Sequence, residues 1–141
     1  MQSAFEFCVT GAALSLYEFA IQEADRHKWL VSERHGRDCG LPAYSEWWRS
    51  HWREFCRYRR IEHLRGDRRW REYEDDAYGR YYDAVISGDP LVTAILDRVA
   101  VGWENLQFAC WVQEWGMPRD RVLEILEVVN INTAARMDPK V

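Results

Sequence analysis

The side chains best suited to chemistry crowd into residues 44–71. On a helical wheel at about 100° per residue, Tyr44, Trp47, Trp48, His51, Trp52, Phe55, Tyr58 and Ile61 fall in an arc of roughly 180°. Arg49, Arg53, Arg57 and Arg60 fall together on the opposite side and form a ridge spaced i, i+4, i+8, i+11. Arg65, Arg68, Arg69 and Arg71 extend the basic stretch past Gly66. A guanidinium is a planar, permanently charged fork that takes a phosphate or carboxylate in a bidentate grip. Several in a row predict salt-dependent polyanion binding. Trp70 and Tyr73 flank the stretch, where aromatic rings can stack exposed bases. The expected ligand is a nucleic-acid backbone or an acidic protein surface. The competing expectation is a solvated ridge that pairs with Glu72, Glu74, Asp75 and Asp76, or with the acidic C-terminal half.

A second constellation lies on the same helix. Glu62 projects into the aromatic arc, Arg59 stands three residues earlier at its edge, and His51 shares the face. A charge on a core-facing stripe is costly unless paired. The i, i+3 spacing lets Arg59 supply the pair, and a structural Arg59–Glu62 bridge is the favoured reading. The alternative is a small helical enzyme or metal-binding protein. There, Glu62 and His51 would join Glu18 or Asp25 in an internal pocket for acid–base work or metal ligation. A helical di-metal site carries two Glu-x-x-His motifs, and the chain has none. Glu23 and His27 stand at i, i+4, a spacing common by chance. No metal and no cofactor is predicted.

Other catalytic signatures are missing. There is no Gly-rich phosphate loop, no G-x-S-x-G elbow and no H-E-x-x-H. Cys8, Cys39, Cys56 and Cys110 form no C-x-x-C pair and read as small apolar filler in a reducing compartment. Cys39 lies near His35 in a loop bounded by Gly36 and Gly40.

The charge layout is uneven. The chain of 141 residues carries a net charge of −4. Residues 47–71 nonetheless hold nine basic and three acidic side chains, a basic island of +6. Arginine supplies 17 of the 19 basic residues; Lys28 and Lys140 are the rest. With 48% hydrophobic and 14% aromatic residues, the chain is not intrinsically disordered. No apolar stretch is long enough to cross a membrane. The opening residues lack a basic n-region and carry Glu6 and Glu18, which argues against a signal peptide. A cytoplasmic location is expected.

The elements that must position these residues are helices. Gly36, Gly66, Gly88, Gly102 and Gly116 each follow a periodic apolar segment, and Pro42, Pro90 and Pro118 each open the next. Asp89 is a good N-cap before Pro90. The periodicity predicts helices over roughly 12–35, 42–65, 75–87, 90–101, 103–115 and 118–130. The first presents Tyr17, Ala20, Ile21 and Ala24 on one face, and the last presents Val122, Ile125, Leu126 and Val129. Residues 103–115 are apolar on most of their circumference, which predicts a central, buried helix. Ile131 and Met137 are expected to anchor the tail.

Residues 108–127 resemble a helix-turn-helix, with Gly116 at the turn. Asp120, Glu124 and Glu127 would face phosphates, so a plain αα-hairpin is the better expectation. The sequence thus predicts one all-α domain over 1–141, a compact bundle of about five to six helices with an aromatic-rich core. Its expected function is a non-enzymatic interaction module acting through the Arg-rich helix. A further possibility is a homo-oligomer whose surplus tryptophans form the interface.

Overall fold

The computed structural model describes residues 13–132 and 137–140. Cys8 and the residues before Ala13 lie outside that range, as do residues 133–136.

The protein is all-α. The described residues form α1 (Leu16–His35), α2 (Gly40–Arg65), α3 (Tyr82–Ile86), α4 (Pro90–Ala100), α5 (Asn105–Trp115) and α6 (Arg119–Val129). No strand is present among them, only an isolated parallel bridge between Leu14 and Trp70. Local chemistry sets most boundaries. Gly66 closes α2 at φ 83, a left-handed conformation that L side chains rarely adopt. Pro90 fits the first turn of α4, where its missing N–H costs nothing. The Asp89 carboxylate accepts from the amides of Leu91 and Val92.

The expected helix over 75–87 is interrupted. A 3-10 turn at Asp75–Ala77 is followed by Gly79 at φ 69, and α3 begins only at Tyr82. The amides of Gly79 and Tyr81 donate to the carbonyls of His63 and Leu64 at 2.7 and 2.9 Å. These carbonyls belong to the last turn of α2, where the helix's own N–H donors run out. The segment completes the end of α2 instead of forming a helix of its own.

Two apolar clusters share α2 as their common wall. Leu16, Ala20 and Ala24 of α1 pack on Trp47, Trp48, Trp52, Phe55 and Cys56 of α2, with Trp70 and Tyr73 closing the far side. Alanine at two successive turns of α1 leaves room for three indoles opposite it. Ile61 and Leu64 of α2 face the second cluster, built from Leu91, Ile95 and Leu96 of α4, Phe108 and Trp111 of α5, and Val122, Ile125 and Val129 of α6. The tail returns to the first cluster, where Trp52 donates through Nε1 to the Met137 carbonyl at 2.8 Å. Ile131 is buried in the second cluster.

Helix α5 departs from expectation. It buries only Phe108 and Trp111, while Leu106 and Trp115 are 76% and 73% exposed. It lies at the edge of the bundle, because α2, α4 and α6 already enclose the core that its two aromatics complete.

Candidate functional site

The arginines of α2 and the following loop divide into an inward and an outward set. Arg60 was expected on the exposed ridge, yet it is 3% exposed. Its Nε donates to the Val129 carbonyl at 2.9 Å and one terminal nitrogen to the Val128 carbonyl at 2.7 Å. Both terminal nitrogens grip the Glu74 carboxylate, at 3.1 and 2.7 Å. The guanidinium also lies 5.0 Å from the centre of the Tyr73 ring. Val128 and Val129 end α6, so Arg60 satisfies carbonyls that have no partner within their own helix. It ties the second cluster to the loop that closes the first. The Arg60 hydrogen bonds hold the Glu74 carboxyl below its ordinary range.

Most of the remaining basic stretch is also engaged. Arg57 pairs with Glu104 at 2.6 Å and donates to the Trp103 carbonyl. Arg65 pairs with Asp97 at 3.1 Å, Arg69 with Asp75 at 2.7 Å, and Arg68 with Glu62 at 3.5 Å. Trp70, expected to stack bases, is fully buried, and the Phe19 ring meets it edge-on at 5.3 Å. Its ring is a core side chain because the Leu14 bridge pins its backbone beneath α1. Arg49, Arg53 and Arg71 are different. All three are exposed, and none has an ion-pair partner among the described residues.

Arg53 opens onto a cleft of about 500 Å³ between α2 and the end of α4. Ser50, Arg57 and Tyr58 line it on one side, Val101 and Gly102 on the other, and Asn132 also borders it. Glu54 and Glu104 lie at the same cleft. Tyr58 and Val101 are exposed apolar surface beside the two guanidiniums. Arg49 stands one turn before Arg53 on the same face of α2, about 5–6 Å away between Cβ atoms.

The buried-polar candidates separate. Arg59 and Glu62 form the expected bridge, with both side chains about a quarter exposed. Arg59 also covers the Phe55 ring at 4.7 Å and the Trp70 ring at 5.6 Å. His51 does not join them. It is exposed, beside Trp47 and the imidazole of His27. Eleven residues of helix, about 16 Å of rise, separate it from Glu62. Among the described residues no three His, Cys, Asp or Glu side chains converge to hold a metal ion.

His63 is a fully buried titratable residue. Its Nδ1 accepts from the Trp70 amide at 3.1 Å, which places the proton on Nε2, 2.8 Å from the Glu74 carbonyl. Burial holds its pKa below the ordinary imidazole value, and the Arg60 charge pushes in the same direction. The Cys56 thiol is pushed up to about 12 by burial and by Glu72, so it is a poor nucleophile.

Sequence reasoning missed the inward roles of Arg60 and His63, and it missed Glu72. The Glu72 carboxylate accepts from the Leu16 amide and, at 3.1 Å, from the Ser15 hydroxyl, so a residue 56 positions away caps α1. No local signal marks such a partner. Gly66 and the acidic run after it show only that the chain folds back there. No known protein family, curated protein or solved structure matches the chain.

Proposed function

We propose that the protein is a non-enzymatic interaction module that binds an acidic protein segment in the cleft between α2 and the end of α4. Arg53 takes a carboxylate of the partner, Arg49 makes an outer contact, and Tyr58 and Val101 receive an adjacent apolar side chain. The observation that carries this reading is the division of the arginines. Arg53, exposed and without an ion-pair partner among the described residues, opens onto a cleft that also offers the exposed apolar surface of Tyr58 and Val101, and Arg49 stands one turn away on the same face of α2.

A nucleic-acid backbone is less well supported. Tight binding to it draws on many phosphate contacts. Arg60 is internal, Arg57, Arg65, Arg68 and Arg69 are each paired, and Trp70 offers no ring face. Glu54 and Glu104 at the cleft would repel a continuous run of phosphates more than a single inserted carboxylate.

Fluorescence anisotropy tests the choice of ligand class. A labelled peptide alternating glutamate and leucine is titrated beside a labelled single-stranded oligonucleotide of similar charge. The peptide should bind more tightly, and Val101→Asp should weaken it. Tighter binding of the oligonucleotide, or no binding of the peptide, would overturn the proposal.

A further inference from the structure

The uncovered apolar face of α5 continues into a groove of about 940 Å³ between α5 and α6. The α5 wall is Phe108, Ala109 and Val112, and the α6 wall is Val122, Leu123 and Leu126. Leu123 is 48% exposed. Charges stand only toward the two ends of the α6 wall. Arg119 marks one and Glu127 the other, and neither has an ion-pair partner among the described residues.

Arg119, Leu123 and Glu127 are spaced i, i+4, i+8, with the leucine midway between opposite charges. That pattern is its own complement when reversed. An antiparallel copy of the same helix sets Arg119 against Glu127 of the second copy, and Glu127 against its Arg119. Leu123 then meets its own equivalent at the centre. An isologous contact requires this property, since each residue meets the partner of its partner. A foreign helix would have to match an apolar floor and both end charges in one register. A second copy matches them by symmetry. Helix α5 adds no obstacle, because its single charged residue is Glu114, and Glu114 does not line the groove.

We infer that the α5–α6 groove is the interface of a two-fold homodimer, with Leu123 on the axis and two reciprocal Arg119–Glu127 bridges around it. The acidic-ligand cleft is lined by different side chains, apart from Ile131 and Asn132, so the inference stands apart from the proposed function.

Sedimentation velocity over a concentration series tests it, on the full chain under reducing conditions. The parent should sediment as a reversible dimer. Arg119→Glu and Glu127→Arg, which place like charges face to face, should each weaken dimerisation at least tenfold. The double variant Arg119→Glu/Glu127→Arg restores opposite charges across the axis and should dimerise like the parent. Circular dichroism confirms that each variant is folded. A parent that stays monomeric at high micromolar concentration would overturn the inference and leave the groove to another occupant. A dimer that survives both single changes would place the interface elsewhere. Singles that dissociate without rescue by the double variant would refute the reciprocal pairing.

Discussion

Arg60→Ala removes a guanidinium that serves two helix-end carbonyls, a carboxylate and an aromatic ring. The two carbonyls lose their donors where water has little access, at about 1–3 kcal/mol each. The lost contact with Tyr73 adds roughly 0.5–2 kcal/mol. Glu74 adds little, because its side chain is 52% exposed and water replaces the lost partner. The total is about 4 kcal/mol, in line with breaking a buried ion pair from one side. In a chain of this size that lowers the melting temperature by about 12 °C. Urea unfolding followed by tryptophan fluorescence reads the loss, with Arg53→Ala as the control. Arg53 is exposed and unpaired among the described residues, so its removal should stay within about 0.5 kcal/mol. Glu74→Ala should cost about 1 kcal/mol, and the double variant less than the sum of the two singles. An Arg60→Ala protein within about 1 kcal/mol of Arg53→Ala would refute the inward role of Arg60.

Glu62→Ala strips a carboxylate from Arg59 and Arg68 and should cost about 2 kcal/mol in the same assay, between the values for surface and buried pairs; Glu62→Gln should cost less. A second expectation concerns pH. His63 stays neutral in the folded protein, held below its ordinary 6.5, while the unfolded chain takes up that proton. Stability from this residue is therefore complete above about pH 6.5 and declines as the pH falls below it. Urea midpoints measured from pH 7.5 to 5 should fall, and His63→Gln should flatten the decline. Leu16 sits on the carboxylate of Glu72, so Glu72→Ala should destabilise α1 by about 1 kcal/mol, seen as faster amide exchange in its first turn.

The helices were legible because their ends are written in local chemistry. Gly66, Asp89–Pro90 and Gly116 act on their immediate neighbours, and the sequence places them within a few residues. The inward turn of Arg60 was not legible. A wheel assigns one buried face to a helix, but α2 has 26 residues and spans about 39 Å. Its first half packs on α1 and its second half on α4 and α6, at a different azimuth. Arg60 sits where the two faces meet, and only the carbonyl ends of α6 make that position polar. The breadth of the apolar surface on α5 was read correctly and its burial wrongly. Periodicity reports which residues avoid water, and says nothing of whether the chain itself supplies the cover. Trp70 misled for a related reason, since a tryptophan beside arginines reads as a stacking platform until the Leu14 bridge draws it under α1.

We propose that Arg49 and Arg53, exposed and without an ion-pair partner among the described residues, hold the acidic partner. Anisotropy titration of the glutamate–leucine peptide against the parent and the Arg49→Glu/Arg53→Glu variant tests it most directly. The parent should bind in a salt-dependent manner, and the folded double variant should lose at least tenfold in affinity. Equal affinity of the two proteins would contradict the claim.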